Sequence, residues 1–159
     1  MNAIIIYSSK YGCTADCAKV LKSRLSGTVE LVNIDQTNPK AILLENFDVI
    51  IFGSSIYIGA ISKKMRAFCN EYIEVLNRKR VGIFLCCAFP EEMNQYLSKN
   101  FPELLLKSAV TIKNFGGESR TDKLKGMDKL IMKAATKGDY SKLKISDKNI
   151  ESFINEISK

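Results

Sequence analysis

Near the N-terminus, the side chains best suited to bind a ligand lie in the sequence SSKYGCT, residues 8–14. This sequence follows an apolar run at residues 3–7. The hydroxyls of Ser9 and Thr14 can donate to phosphate oxygens, Gly12 lets the backbone approach a ligand, and the first amides of a following helix attract anions. The lysine of this loop adds a positive charge. The pattern therefore predicts a phosphate-binding loop that is neither GxGxxG nor a P-loop; the alternative is an ordinary strand-to-helix turn with Thr14 as its N-cap.

Two further loops combine small polar residues with apolar ones. The sequence GSSIYIGAIS, Gly53 to Ser62, places two isoleucines around Tyr57. Exposed apolar side chains there favour a flat ligand, although a loop folded back onto its own core is the alternative. The sequence CCAFPEE, Cys86 to Glu92, offers Phe89 as a second apolar wall. Its adjacent cysteines are interpreted as core thiols, because neighbouring cysteines seldom form a relaxed disulfide.

These loops must be positioned by the apolar runs and amphipathic stretches that alternate along the chain. This alternation predicts an α/β fold with a doubly wound, mostly parallel sheet, in which ligands bind beyond the carboxyl ends of the strands. The predicted strands are residues 3–7, 29–34, 49–53, 81–86 and 109–113. The predicted helices are residues 13–26, residues 62–76, a shorter helix from about residue 91, and residues 147–157 with Asp147 as N-cap, with at most a short helix in residues 36–47.

Composition predicts one domain, residues 1–159, with 46% hydrophobic residues to form its core. No stretch is long enough to span a bilayer and nothing resembles a signal peptide, so we expect a cytoplasmic protein. The five cysteines have no CxxC spacing and the chain has no histidine. We therefore expect reduced thiols and no metal site.

The first loop resembles the S/T-x-T-G-x-T phosphate loop of flavodoxins, and residues 53–59 resemble their second loop, which carries an aromatic side chain over the flavin. The resemblance covers nearly the whole chain and implies a flavodoxin-like five-stranded parallel sheet of order 2-1-3-4-5, with helices on both faces, and FMN as cofactor. Tyr11 and Cys13 stand where that family often has threonine and asparagine. The resemblance implies that the residues around the phosphate are Ser9, Lys10, Tyr11, Gly12, Cys13 and Thr14, that one side of the ring contacts Ser54, Ser55, Ile56, Tyr57, Ile58 and Gly59, and that the other contacts Cys87, Ala88 and Phe89.

A basic segment, residues 116–146, is inserted between the fifth strand and the last helix. Eleven basic and five acidic side chains lie between Lys107 and Lys148, which places six of the seven net positive charges there. Residues 122–137 predict an amphipathic helix with an apolar face and a lysine stripe, formed respectively by Leu124, Met127, Leu130, Ile131, Ala134 and Ala135 and by Lys129, Lys133 and Lys137. Such a helix suits an acidic substrate or an anionic membrane surface; the alternative is a solvated lysine face over a core contact. No nucleic-acid motif accompanies the charge.

Residues 113–159 also resemble the menaquinone-dependent protoporphyrinogen dehydrogenases of flavodoxin fold. The shared features are a glycine after the fifth strand, then a basic residue, a helix containing Asp, a basic residue and apolar residues, and a Ser/Thr-Asp pair that opens the last helix. The resemblance implies an FMN-dependent enzyme that oxidises protoporphyrinogen IX and passes electrons to a quinone. The charge of the basic segment separately predicts peripheral contact with the inner face of the membrane. Arg120, Lys123 and Lys125 are then candidates to bind substrate carboxylates, and no catalytic residue is assigned.

Three other functions fit the predicted fold class less well. An electron carrier would exchange single electrons with redox protein partners, but such flavodoxins are commonly acidic and this chain carries a net charge of +7. A signalling receiver domain is disfavoured because serines rather than acidic residues follow the first strand, and Gly53 rather than an aspartate follows the third. A cysteine phosphatase is disfavoured because the CxxxxxR pattern is absent.

Overall fold

Five parallel strands form the centre of the protein. In the computed structural model, which describes residues 1–117, 126–136 and 143–159, they are β1 Asn2–Ser8, β2 Thr28–Asn33, β3 Val49–Ser55, β4 Arg80–Cys86 and β5 Thr111–Asn114. They form a sheet in the order β2-β1-β3-β4-β5, which confirms the expected doubly wound, flavodoxin-like topology. The order reverses between β1 and β3, and a ligand cleft is expected beyond the carboxyl ends of these two strands.

The strand register brings the polar ends of the strands together. Ile5 of β1 pairs with Ile51 of β3 within runs that are buried on both faces, as expected for a parallel sheet covered by helices. In the same register Ser8 pairs with Ser54, and Ser55 pairs with Cys86. The three strands therefore end at one edge, and the loops that leave them start side by side.

Helices cover both faces of the sheet. They are α1 Cys13–Arg24, α2 Lys63–Glu71, α3 Ile73–Leu76, α4 Met93–Asn100, α5 Glu103–Ser108, α6 Met127–Thr136 and α7 Asp147–Ile157, with short 3₁₀ turns at Pro39–Ala41, Leu44–Asn46 and Pro90–Glu92. Side chains alternate across each strand, so Ile5 packs in one core with α1 and α7, whereas Ile4 and Ile6 pack in the other with α2, α3, α4 and α5.

The core beneath α7 has a close aromatic contact. The ring of Phe84 stacks on that of Phe115 with centroids 4.5 Å apart, and Phe153 of α7 packs edge-on against both. A Cβ at Gly82 would lie 2.7 Å from the ring of Phe153, so only glycine allows α7 to approach β4 this closely.

Several predicted boundaries were wrong in detail. The helix predicted over residues 62–76 is divided at Tyr72, whose backbone angles (φ −102°, ψ 16°) depart from helical values. The N-cap of α7 is Ser146 rather than Asp147, because the Ser146 hydroxyl accepts the amide hydrogen of Asn149 at 3.3 Å. The fifth strand begins at Thr111, two residues later than predicted, because the preceding residues follow the short helix α5. Within the described residues, no helix is both long and apolar enough to cross a membrane.

Candidate functional site

A cleft opens at the carboxyl edge of the sheet, between the loops that follow β1, β3 and β4. Its inner part, against the start of α1, encloses about 630 Å³ including its mouth, and an outer part encloses about 690 Å³. The two parts, which we call the inner cleft and the outer cleft, share Tyr11, Ile56, Tyr57 and Ala88 and therefore form one continuous depression.

The loop after β1 is folded around one serine hydroxyl. The Oγ of Ser9 accepts the amide hydrogens of Gly12 at 3.1 Å and of Ala15 at 3.3 Å. Gly12 has a φ of 97°, a left-handed conformation that favours glycine, and it is the N-cap of α1. The loop therefore turns sharply and brings the positive end of the α1 dipole to the cleft.

Thr14, in the first turn of α1, is the clearest sign of an anion site in this loop. Its side chain is fully buried and lines the inner cleft, yet its Oγ1 has no hydrogen-bond partner within the described residues. A buried hydroxyl without a partner costs free energy, and a ligand oxygen in the inner cleft would remove that cost. Thr14 is not the N-cap of α1, which is Gly12, so the cap that the alternative interpretation assigned to Thr14 was wrong.

The loop after β3 forms one wall of the outer cleft through a strained turn. Tyr57 and Ala60 exchange backbone hydrogen bonds of 2.9 and 3.1 Å, and the two residues between them, Ile58 and Gly59, both have positive φ. A φ of 49° is rare for a β-branched residue, and Ile58 is also 67% exposed at the cleft. The predicted exposure of Ile58 is confirmed, whereas its neighbour Ile56 is partly buried against the core.

The loop after β4 forms the facing wall, where Cys87, Ala88 and Phe89 line the outer cleft. Asn114 at the end of β5 holds this loop: its side chain accepts the amide hydrogen of Cys87 at 3.3 Å and donates to the Cys87 carbonyl at 3.2 Å. Sequence reasoning missed Asn114. Its position at the carboxyl end of the fifth strand is the signal that could have identified it.

Helix α6, from the basic segment, reaches the cleft through Asp128. Its carboxylate accepts hydrogen bonds from the hydroxyls of Tyr11 and Tyr57 and lies 2.9 Å from the Nζ of Lys10. These three contacts, the tyrosine hydroxyls first, lower the pKa of Asp128 to about 2. The Lys10 Nζ also lies 3.3 Å from the centroid of the Tyr57 ring. In sequence, Asp128 was only one of the acidic residues in a basic segment.

The remaining surface of α6 differs from the predicted amphipathic arrangement. Ile131 lines the outer cleft, but Met127 and Leu130 are 74% and 68% exposed. The lysines at positions 129 and 133 are also exposed. The helix therefore presents apolar and basic side chains together to the outside. Arg120, Lys123 and Lys125, the predicted substrate-binding residues, lie outside the described residues, as do residues 122–125 and 137 of the predicted helix.

Most of the other predicted binding residues border the cleft. Ser9, Lys10, Tyr11, Cys13, Thr14, Ser55, Ile56 and Tyr57 line its inner part, and Ile58, Gly59, Cys87 and Phe89 line its outer part. Ser54 does not reach it, because its side chain is 1% exposed and its hydroxyl donates to the Ser55 carbonyl at 3.0 Å. Gly117, which sequence reasoning did not select, lies against Ala88 and lines the inner cleft.

Three thiols meet where the inner cleft borders the core, although no metal site was expected from sequence. The Sγ atoms of Cys13, Cys17 and Cys86 all lie within 4.8 Å of one another. Contact with Cys13 raises the pKa of the Cys17 thiol to about 12, and contact with Cys13 and Cys17 holds the pKa of Cys86 well above its ordinary value. No disulfide joins any of the five cysteines, which all lie in the described part of the chain.

Chemically, this arrangement can bind an anion at the start of α1 and enclose a flat apolar group in the outer cleft. The anion would contact the Thr14 hydroxyl and the first amides of α1, and the flat group would lie between the Tyr57 and Phe89 loops. A nucleotide with a planar ring has both features, and FMN, implied by the sequence resemblance, fits these residues.

Comparison with known proteins agrees with this architecture. The family described as "Flavodoxin domain" matches residues 4–146. An uncharacterised protein of Methanocaldococcus jannaschii is 33% identical over 91 residues, which is 57% of this chain and 57% of that protein. The chain thus matches little more than half the length of this curated relative.

Two solved structures share the fold at low sequence identity. A flavodoxin of Streptococcus pneumonia TIGR4 is 17% identical with a TM-score of 0.57, covering 98% of this chain and 96% of that one. A flavoprotein of Lactobacillus acidophilus NCFM, in complex with FMN, is 16% identical with a TM-score of 0.52, covering 71% of this chain and 92% of that one. Because the family match spans most of the residues and the strand order agrees, the chain belongs to the flavodoxin domain family.

Proposed function

We propose that the protein binds FMN in the cleft and acts as an oxidoreductase. The observation that carries the proposal is the buried hydroxyl of Thr14, which has no partner within the described residues and belongs to a residue that lines the inner cleft at the start of α1. A phosphate group there would accept its hydrogen bond. The complex of the similar Lactobacillus flavoprotein with FMN supports this choice of nucleotide.

Each part of the cleft has a role in this proposal. The hydroxyls of Ser9 and Thr14 donate to the phosphate, and the positive end of the α1 dipole offsets its charge. Lys10 is paired with Asp128 beside them. Tyr57 and Phe89 enclose the ring and exclude water from its faces. When bound, FMN supplies a flavin ring that accepts electrons and returns them, while the protein provides position and electrostatics.

Helix α6 favours an enzyme with its own substrate over a simple carrier. An electron carrier needs only an exposed cofactor edge, whereas here α6 adds Asp128 and Ile131 to the wall of the outer cleft. The Asp128 contacts to two tyrosines and one lysine hold this wall against the loops. A wall beyond the cofactor loops creates a pocket in which a small molecule can be oriented.

For the substrate we propose protoporphyrinogen IX or a similar reduced organic molecule, with a quinone as electron acceptor. The net reaction removes two hydrogen atoms from the substrate for each quinone reduced to quinol. Support comes from the resemblance of residues 113–159 and from α6, whose exposed Met127 and Leu130 lie beside Lys129 and Lys133. This mixture suits an apolar molecule with carboxylates, and also peripheral contact with an anionic membrane surface.

The second candidate is an electron carrier that exchanges single electrons with a redox protein. Membership of the flavodoxin domain family favours it. Its partner would need an acidic docking surface, because the net charge of this chain is +7.

The deciding experiment measures FMN binding first and electron transfer second. Apoprotein is titrated with FMN by flavin fluorescence, and the loaded protein is then mixed anaerobically with protoporphyrinogen IX and a menaquinone analogue. Substrate-dependent quinol formation supports the enzyme. Failure to oxidise any such substrate, combined with fast electron exchange with a redox protein, supports the carrier, and failure to bind FMN overturns both.

The proposed substrate residues can be tested separately from cofactor binding. R120A and K123A should lower kcat/KM for protoporphyrinogen IX without changing FMN affinity, because these side chains would bind substrate carboxylates. K107A is the matched control, since Lys107 is an exposed lysine of α5 that pairs with Glu103. An unchanged kcat/KM in both variants would remove Arg120 and Lys123 from the site.

A further inference from the structure

The thiols of Cys13, Cys17 and Cys86 come from two rigid elements. Cys13 and Cys17 lie one turn apart on α1, and Cys86 ends β4. The Sγ atoms of Cys17 and Cys86 are 3.7 Å apart, and all three Sγ atoms lie within 4.8 Å of one another. Three sulfur atoms in this arrangement match the ligand count of a metal site with one open position.

We propose that these three thiols form a binding site for one thiophilic divalent metal ion of the Zn²⁺ type. A tetrahedral centre with Zn–S bonds of about 2.3 Å holds its sulfur atoms about 3.8 Å apart. The Cys17–Cys86 separation of 3.7 Å is already close to this value. Cys13 is the least buried of the three and begins a helix, so a movement of about 1 Å brings its sulfur into the same range.

The charge balance favours a divalent ion over a monovalent one. Three thiolates with a divalent ion leave one net negative charge, whereas Cu⁺ would leave two in a site where Cys17 and Cys86 are 3% and 6% exposed. The N-terminus of α1, at Cys13, offsets the remaining charge through its dipole. Soft sulfur ligands without oxygen or nitrogen exclude Mg²⁺ and Ca²⁺ as occupants.

The fourth position of the metal would face the inner cleft. Cys13 and Cys86 both line this cleft, together with Thr14 and Tyr11, whereas Cys17 lies behind them in the core. The site is therefore open on the side where a ligand binds, unlike a structural zinc site closed by four protein ligands. The proposal does not depend on FMN binding, since the three sulfur atoms come from α1 and β4 alone.

The test is a titration of the reduced full chain with Cd²⁺, an ion whose thiolate complexes absorb in the ultraviolet, performed with and without FMN. One equivalent of Cd²⁺ should bind with thiolate-to-metal absorption. C13A, C17A and C86A should each weaken the affinity by more than about 100-fold, because loss of a direct ligand costs more than loss of an outer-shell partner. C69A is the matched control, since Cys69 is fully buried but lies in the opposite core, and it should bind as the wild type does.

Each outcome decides the proposal. Wild-type affinity in C13A, which changes the least buried of the three residues and is expected to fold, would overturn a three-sulfur site. So would Cd²⁺ binding that survives the triple variant C13A/C17A/C86A, or the absence of stoichiometric binding in the reduced wild-type protein. Competition of Zn²⁺ for the bound Cd²⁺, with Mg²⁺ inert, would support the assignment of the ion class.

Discussion

Replacing Thr14 with valine should raise the stability of the protein without nucleotide and lower its affinity for FMN. Valine keeps the volume and removes only the hydroxyl, which has no partner within the described residues. In the empty protein this removes a desolvation penalty of about 1–3 kcal/mol, so the free energy of unfolding should rise by up to that amount. With a phosphate bound, the same hydroxyl would donate to a charged acceptor, a bond that contributes about 1.5–3 kcal/mol. FMN affinity should therefore fall by about 10- to 150-fold.

Two measurements on the same variant test this reasoning. Urea unfolding of T14V apoprotein gives the stability change, and fluorescence titration with FMN gives the affinity change. T111V is the matched control, because Thr111 is a buried threonine on β5 that does not line the cleft. An FMN affinity equal to that of the wild type in T14V would show that Thr14 does not hold the phosphate. A destabilised apoprotein would show that its hydroxyl is already partnered.

Three further predictions concern the loops and helix around the cleft. The pKa of Asp128 is lowered from 3.8 to about 2, so the stability that its carboxylate gives to the packing of α6 is complete above about pH 4 and is lost as the pH falls towards 2. Hydrogen-exchange protection of α6 should fall over that pH range. In D128A this protection should already be low at neutral pH. G12A should destabilise the protein by about 1–2 kcal/mol in urea unfolding, because Gly12 has a φ of 97°. I58G should relieve about 1 kcal/mol of backbone strain at a φ of 49° and raise the urea midpoint of unfolding. FMN titration of the same variant should show weaker binding, because the Ile58 side chain is lost from the wall of the outer cleft. A lower unfolding midpoint would mean that packing of Ile58, not strain, dominates its effect on stability.

Much of the sheet could be predicted because its signal is local. Continuous apolar runs such as Val49–Phe52 are typical of strands buried on both faces, and glycine in a short polar loop before a helix predicts a sharp turn. The fifth strand and α5 were harder to predict. Both are short, and the boundary between them depends on the pairing of Thr111 with Gly82, which is not visible in the local sequence.

The binding loops were identified in sequence, but the contacts that hold them were not. Asn114 anchors the loop after β4 across 27 residues of sequence, and Asp128 joins α6 to Tyr11 across 117. Such contacts depend on the order in which the strands and helices pack. A carboxylate in a basic segment and an asparagine at the end of a strand have no local pattern that predicts these partners.

The sequence by itself determined the alternation of strands and helices, the polar loops at the carboxyl edge of the sheet and the concentration of positive charge after the fifth strand. These features depend only on the types and periodicity of residues that are neighbours in the chain. Only the tertiary structure decided that Thr14 lacks a hydrogen-bond partner among the described residues, that Ile58 is strained, and that Cys13, Cys17 and Cys86 meet. The physical reason is that burial and sulfur–sulfur distance depend on how α1 packs against β4, which brings together residues 69 positions apart in the chain.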